Sequence, residues 1–185
     1  MRCPWSEKSD TMRSYHDTEW GTPQRDDQIL FEYILLDSFQ AGLSWATILN
    51  KRENFRKAFD SFDPNSIALY GKKKVDSLLK NEGIVRHRGK IEATIGNAKT
   101  FLTIQEEYGS FSAYLWSWVN EISIQNQCKN EQDVPTHTEL SDTISADLKK
   151  RGFRFFGSTI CYAFLQGCGV VNDHLTTCDR FKSLS

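Results

Sequence analysis

Apolar residues recur at steps of three and four along most of the chain, the spacing that places them on one face of an α-helix. This pattern predicts a helix after the capping pair Asp26-Asp27 and a longer helix from Trp45 through Phe62. The dipeptide Asp63-Pro64 joins a capping carboxylate to a proline at the first helical position. It predicts the start of a shorter helix.

The same spacing predicts further helices around residues 75–79, 90–108, 111–119, 142–152 and 159–167. Residues 123–140 are polar and carry no period, which predicts a mobile loop. No segment alternates apolar and polar residues in the way a half-buried strand does. The sequence therefore predicts an all-α fold, a compact bundle of short helices.

The chain of 185 residues, 39% of them hydrophobic, is long enough for one domain over residues 1–185, built as two small helical lobes sharing one core. No apolar run approaches the ~20 residues that a membrane span requires, so we expect no membrane partner. With 23 Lys+Arg against 24 Asp+Glu, the formal net charge of −1 excludes a globally basic nucleic-acid binder. A locally basic face remains compatible with this composition.

The first ten residues lack the apolar stretch and the small-residue cleavage site of a secretory signal. The chain has five cysteines, an odd number that does not suit a disulfide framework. Both observations favour reduced thiols and a cytoplasmic location.

Metal-ligand chemistry occurs near both ends of the chain. Cys3 and His16 lie near the start, while His174 and Cys178 lie near the finish with three residues between them. Two thiolates and two imidazoles are a donor set that a structural zinc prefers, and such a site would join the two termini. The alternative is four unrelated residues, since buried cysteines and satisfied histidines are common. The residues alone leave both interpretations open.

A basic turn lies between two predicted helices at residues 83–90. Gly83 and Gly89 bracket it, and Arg86, Arg88 and Lys90 bring positive charge close to free amides at the next helix N-terminus. This arrangement resembles a helix-hairpin-helix element, which binds the DNA backbone without reading sequence. An ordinary solvated basic turn is the alternative.

Aromatic residues are concentrated near the start of the chain. Trp5, Trp20 and Trp45 fall in this region together with Tyr15, and Asp37 ends the first long predicted helix. Aromatic faces beside one acidic group suit an extruded, electron-poor purine. The alternative is that the tryptophans form hydrophobic core.

Several segments, taken in chain order, resemble one known family. They are YHDTEWG at 15–21, QAGLSW at 40–45, KREN at 51–54, GIVRHRGKI at 83–91, KKRGF at 149–153, TICY at 159–162 and VNDH at 171–174. The family is bacterial DNA-3-methyladenine glycosylase I, within the helix-hairpin-helix DNA glycosylase superfamily. Because the segments span nearly the whole chain, the resemblance implies an α-helical fold with a helix-hairpin-helix.

The resemblance also implies ligands and site residues. It assigns Cys3, His16, His174 and Cys178 to one structural zinc ion per chain. By the same resemblance Tyr15 and Trp45 line the base pocket, and Gly42 and Leu43 enter the DNA at the lesion. Trp5 and Trp20 remain candidates for base binding from the aromatic pattern alone.

The chain departs from the family pattern at two pocket positions. Asp37 stands where the family has glutamate, and Met12 stands where it has tyrosine. A carboxylate shorter by one methylene reaches the base edge through a shifted helix or a bridging water. Asp37 remains the candidate catalytic residue, one that recognises the cationic base.

The resemblance implies a monofunctional glycosylase that hydrolyses the N-glycosidic bond of 3-methyladenine, the first step of base excision repair. The expected partner is double-stranded DNA containing alkylated adenine, bound by a monomer. Two alternatives are a non-catalytic binder of alkylated DNA and a zinc-stapled helical interaction module. Release of free 3-methyladenine from methylated DNA separates the enzyme from both.

Overall fold

The computed structural model describes residues 1–184, which are mostly helical. The helices are α1 (Asp10–Thr18), α2 (Asp27–Gln40), α3 (Trp45–Ala58), α4 (Pro64–Ala68), α5 (Lys72–Leu78), α6 (Arg88–Tyr108), α7 (Phe111–Ser117), α8 (Glu139–Arg151), α9 (Ser158–Gly167) and α10 (Asp179–Ser183). Short 3-10 segments cover Pro4–Lys8, Asp60–Phe62 and Glu131–Asp133. Two strands, β1 (Ile124–Gln125) and β2 (Val171–Asn172), pair in parallel.

Side-chain caps begin several of these helices where the sequence predicts them. The Asp26 carboxylate accepts from the amides of Gln28 and Ile29 at the start of α2, and Asp63 does the same for Asn65 and Ser66 at the start of α4. Each cap satisfies amides that have no partner within the helix. The predicted starts at Asp26 and Asp63 are therefore confirmed.

Helix α3 is shorter than the sequence pattern predicts. It ends at Ala58, because Asp60, Ser61 and Phe62 have positive φ angles of 48°, 57° and 63°, which an α-helix cannot continue. The Phe62 side chain is nonetheless fully buried. The apolar residues keep their spacing of three and four across this turn because the turn places the Phe62 side chain in the same core that α3 contacts.

The segment predicted as a loop over residues 123–140 contains regular structure. Strand β1 pairs with β2 in the register Ile124 to Val171 and Gln125 to Asn172, and α8 begins at Glu139 rather than at Asp142. Two-residue strands are too short to produce an alternating pattern. The pairing fixes this segment against the chain just before His174.

Helix α2 lies at the centre of the molecule. Its residues from 30 through 39 are all buried, and it packs against α3, α6, α7 and α9. A helix that is apolar on every side is typical of a buried core position. The buried Glu32 carboxylate is compensated by Arg52 at 2.6 Å and Arg56 at 2.9 Å. Among the described residues no helix has both the length and the apolar character to cross a membrane.

Candidate active site and metal cluster

Four potential metal ligands converge where the two ends of the chain meet. Cys3 precedes the first 3-10 segment, His16 lies on α1, His174 follows β2 and Cys178 precedes α10. All four are buried, and their donor atoms lie within 4.8 Å of one another. The Cys178 Sγ is 3.5 Å from both His16 Nε2 and His174 Nδ1, and Cys3 Sγ is 3.7 Å from His174 Nδ1.

These separations fit one tetrahedral ion. Bond lengths of about 2.3 Å to sulfur and about 2.0 Å to nitrogen place tetrahedral ligands about 3.6 Å apart. The outer ring nitrogens have partners of their own: His16 Nδ1 lies 2.8 Å from the Asp17 carboxylate and His174 Nε2 lies 2.9 Å from the Trp20 carbonyl. These contacts direct the remaining nitrogen of each ring to the cluster, as outer partners do in metal sites.

Burial shapes the protonation of two ligands. It lowers the pKa of His174 to about 4, which keeps the imidazole neutral and able to coordinate. It raises the pKa of the Cys3 thiol to about 12, and the neighbouring Cys178 adds to this increase. The Leu175 amide points at Cys3 Sγ from 3.4 Å. The four residues can hold a metal ion.

A cavity of about 720 Å³ lies beside this cluster. The four aromatic residues that the sequence singled out all line it: Trp5, Tyr15, Trp20 and Trp45. The rings of Tyr15 and Trp45 are 5.4 Å apart, and those of Trp5 and Trp20 are 5.0 Å apart. A volume of this size is typical of small-molecule pockets.

Two of these tryptophans also contact the metal cluster, and Cys3 of the cluster lines the cavity itself. The Trp20 ring lies 4.6 Å from the His174 ring, and the Trp5 ring lies 5.4 Å from the His16 ring. The cavity and the cluster therefore share an aromatic wall. A change in the position of the metal ligands would move that wall.

Asp37 is a buried acidic residue in the wall of the cavity. It lies in the last turn of α2, is 5% exposed, and makes no hydrogen bond with the described residues. Burial raises the pKa of this carboxyl well above its ordinary value. An unpartnered carboxyl in an aromatic cavity is suited to a cationic or amino-bearing ligand. Met12 lines the same cavity.

The sequence analysis missed two polar residues in the cavity wall, Gln166 on α9 and Asp173 after β2. The Asp173 carboxylate accepts from Tyr162 Oη at 2.7 Å, Gln166 Nε2 at 2.7 Å and Asn126 Nδ2 at 2.8 Å. One signal was available, because Gln166 is a polar residue that follows the apolar run Ala163-Phe164-Leu165 near the end of α9. The spacing of apolar residues along α9 predicted only that one face of this helix is buried.

The cavity wall also includes part of the segment predicted as a loop. Glu131 and Val134 line the cavity, and Cys128 packs against Cys3 and Cys178. This segment therefore covers the cavity and the metal cluster together. An unpatterned polar sequence gave no indication of that contact.

The turn after α2 lies at the cavity mouth, between the lining residues Gln40 and Ser44. Gly42 has a φ of +83°, a conformation that favours glycine, and nothing lies within 4 Å of the position a Cβ would take. The Leu43 side chain is 42% exposed. The turn thus projects an apolar side chain beside the entrance.

The basic turn of residues 83–89 lies between α5 and α6. Arg86 and Arg88 are half exposed, and Arg88 pairs with Asp76 at 3.2 Å and Glu92 at 3.4 Å. The amides of Arg88 and Gly89 have no acceptor among the described residues. Two free amides next to two arginines match the predicted binding mode for phosphate.

Lys90 does not contribute its charge to this surface, and the prediction that it does is wrong. Its side chain is 6% exposed and turns inward, where Nζ donates to the carbonyls of Phe39 at 2.8 Å and Ala41 at 2.7 Å. Both carbonyls lie at the C-terminal end of α2, which lacks partners for its last carbonyls. Lys90 therefore supports the turn that carries Leu43.

Comparison with known proteins gives a consistent result. The methyladenine glycosylase family model matches residues 5–182. The chain is 47% identical over 177 residues to DNA-3-methyladenine glycosylase 1 of Escherichia coli, covering 96% of this chain and 95% of the relative. It is 48% identical over 177 residues to DNA-3-methyladenine glycosylase of Haemophilus influenzae, covering 96% of each.

Solved structures agree. A crystal structure of a 3-methyladenine DNA glycosylase I has a TM-score of 0.94 and 47% identity, covering 97% of this chain and 98% of that one. A structure of the Staphylococcus aureus 3-methyladenine DNA glycosylase I, on recognition of 3-methyladenine, has a TM-score of 0.93 and 38% identity. It covers 96% of this chain and 95% of that one.

Proposed function

The chain belongs to the methyladenine glycosylase family, and we propose that it hydrolyses the N-glycosidic bond of 3-methyladenine in alkylated DNA. This is the first step of base excision repair. One observation carries the proposal beyond family membership: the aromatic cavity is lined by a buried carboxyl, that of Asp37, which has no hydrogen-bond partner among the described residues, whereas the carboxylate of Asp173 has three. A ligand with positive charge and aromatic faces satisfies both features.

The chemistry of the lesion explains why so few groups are required. Methylation at N3 gives the adenine a positive charge, so the base leaves the sugar without prior protonation. The protein has to hold the extruded base between Tyr15 and Trp45, stabilise its charge and admit water. No covalent intermediate is required.

Asp37 stabilises the bound base by charge and hydrogen bonding. A cation next to a carboxyl lowers its pKa, which opposes the increase caused by burial. Binding of the cationic base therefore favours ionisation of Asp37, and the carboxylate then accepts a hydrogen bond from the base. Neutral adenine lacks the charge that drives this ionisation, so the site discriminates against undamaged DNA.

Zinc is the ion that we assign to Cys3, His16, His174 and Cys178, because two thiolates and two imidazoles in tetrahedral spacing are its structural ligand set. Four protein ligands leave no position for water, so the ion joins the chain ends and takes no part in hydrolysis.

Double-stranded DNA is contacted through two elements. Arg86, Arg88 and the amides at the start of α6 bind phosphates as a helix-hairpin-helix, without sequence preference. Gly42 and Leu43 enter the duplex at the lesion and occupy the space left by the extruded base. We take the enzyme to be a monomer and residues 1–185 to be a single glycosylase domain.

A direct assay tests this function. Purified protein is incubated with methylated double-stranded DNA, and released bases are identified by chromatography. We expect free 3-methyladenine and intact strands before alkaline treatment. Tight binding to methylated DNA without base release would favour a non-catalytic binder. No preference for DNA would favour an interaction module.

A further inference from the structure

We propose that Gln166 is a specificity-determining residue that selects purines carrying an amino group at position 6, by presenting a hydrogen-bond acceptor to the cavity. The inference rests on the proposed function, since it concerns the base held in the same cavity. It follows from the way in which the amide of Gln166 is fixed.

Gln166 and Asp37 face the cavity from neighbouring helices. Helices α2 and α9 pack against each other, and both residues line the cavity. Tyr15 lines the same cavity, and its hydroxyl lies only 3.2 Å from the position that a Cβ on Gly167, the residue after Gln166, would take. The polar edge of a base stacked on Tyr15 therefore comes within reach of both side chains.

The orientation of the Gln166 amide follows from its partner. Its Nε2 donates to the Asp173 carboxylate at 2.7 Å. Asp173 also accepts from the Tyr162 hydroxyl and the Asn126 amide, so three donors surround this carboxylate. Rotating the Gln166 amide by 180° would put its oxygen against a carboxylate oxygen, which is repulsive.

The carbonyl oxygen of Gln166 is consequently available to a ligand. Oε1 accepts no hydrogen bond from the residues that the structure describes. Because Nε2 is held by Asp173, the orientation of the amide is fixed, and Oε1 is the amide atom that remains without a partner among the described residues. An amide that was free to rotate would offer either a donor or an acceptor.

The chemistry of position 6 then decides which purines fit. An adenine carries an amino group there with two N–H donors, one for Gln166 Oε1 and one for Asp37. A guanine or hypoxanthine carries a carbonyl oxygen, which would face the oxygen of Gln166. Towards a neutral base Asp37 alone does not discriminate, because burial raises the pKa of its carboxyl and a protonated carboxyl can donate to a carbonyl. The amide of Gln166 is held in one orientation and keeps its oxygen available to the base.

The test compares two base-release rates in one sample. Methylated DNA contains 3-methyladenine and 3-methylguanine, and both are quantified after treatment with wild-type protein and with Gln166→Met. Methionine keeps the length of the side chain but lacks the acceptor. We expect the ratio of 3-methyladenine to 3-methylguanine release to decrease about tenfold, the worth of one hydrogen bond.

Gln105→Met is the matched control. Gln105 also donates its amide to a carboxylate, that of Asp27, at 2.6 Å, but it lies on α6 and does not line the cavity. We expect its release ratio to equal that of the wild type. A ratio unchanged in Gln166→Met, with both rates reduced equally, would overturn the proposal because it would show a purely structural role.

A second measurement uses wild-type protein alone and does not depend on the folding of a variant. Competition between free 3-methyladenine and 3-methylhypoxanthine compares bases that differ at position 6. We expect 3-methyladenine to bind at least tenfold more tightly, and equal affinities would contradict the proposal. Protein that releases no base from DNA yet retains this preference would refute the proposed function and support the role of Gln166.

Discussion

The metal cluster and the base cavity lie side by side and share Trp5 and Trp20. They differ in whether their buried polar groups have hydrogen-bond partners. In the cluster, each histidine uses its outer nitrogen on a fixed partner and directs the other inward. In the cavity, Asp37 and the Trp45 indole N–H have no partner among the described residues. The first arrangement is suited to an ion that remains bound, and the second is suited to a ligand that is bound and released.

This difference has an energetic basis. A buried polar group without a partner costs about 1–3 kcal/mol, and the native state bears that cost until a ligand supplies the partner. Convergent donor atoms instead provide stability whenever their ion is bound. Variants in the cluster should therefore affect mainly the free energy of unfolding, and variants in the cavity should affect mainly the rate of base release.

The largest effect is expected in the cluster. Cys178→Ser removes one thiolate ligand, and we expect loss of the bound zinc and a decrease in the free energy of unfolding of more than about 4 kcal/mol. Denaturant titration and elemental analysis measure the two quantities. Cys161→Ser is the control, since Cys161 is equally buried but lies outside the cluster. Cys161→Ser should retain the metal. Wild-type protein without bound metal would contradict the assignment of zinc to the cluster.

The cavity variant Asp37→Asn should reduce base release without reducing the stability of the protein. Loss of a hydrogen bond to a charged base is worth roughly 1.5–3 kcal/mol, so release of 3-methyladenine should decrease about tenfold to a hundredfold. The melting temperature of the free protein should increase at pH 7. Unchanged release by Asp37→Asn would remove the carboxyl from the site.

The pH dependence of this stabilisation follows from the raised pKa of Asp37. Below the unfolded pKa of about 3.9 both states hold the proton, and the carboxyl costs nothing. Above it the unfolded state loses the proton first, so the native state becomes progressively less stable as pH rises towards the folded pKa. The melting-temperature advantage of Asp37→Asn should therefore be absent at low pH and increase with pH.

Lys90→Met tests whether the Lys90 side chain supports the turn that carries Leu43 rather than the phosphate-binding surface of the basic turn. The carbonyls of Phe39 and Ala41 lose a charged donor, and we expect a decrease of about 1–3 kcal/mol in the free energy of unfolding. The turn carrying Leu43 should shift and slow base release. The salt dependence of binding to undamaged duplex should not change, and a reduced dependence would mean that Lys90 reaches phosphate after all.

The smallest effect is expected at the exposed basic turn. Arg88→Glu should weaken binding to damaged and undamaged duplexes alike and reduce the slope of log affinity against log salt by about one. Lys99→Glu makes the same charge change at an exposed position further along α6 and is the control. Loss of discrimination between the two duplexes would contradict the division between the turn and the cavity.

The sequence predicted those features that local chemistry determines. Caps at Asp26 and Asp63 predicted helix starts. Ligand chemistry at both ends of the chain left the cluster of Cys3 and His16 with their C-terminal partners as one of two open interpretations, and the resemblance selected it. The family resemblance added the assignment of zinc and of the base pocket.

The missed features depend on tertiary structure. The direction of the Lys90 side chain is set by carbonyls fifty residues away in the chain, which no local pattern encodes. Gln166 belongs to the cavity only because Asp173 orients it, and Asp173 is placed by the pairing of β1 with β2. Both strands are too short to be recognised from alternation.

The meeting of the chain ends at the cluster has a consequence for the unfolded protein. A metal ion held by Cys3 and Cys178 closes a loop through nearly the whole chain. By the relation used for covalent cross-links, closing a loop of this length lowers the entropy of the unfolded chain by an amount worth about 5 kcal/mol at 25 °C. An unfolded chain that kept its ion would behave as a circle with few of the extended conformations open to a linear chain. A bound ion would therefore favour refolding by lowering the entropy of the unfolded chain, as well as through the bonds that it forms with its ligands.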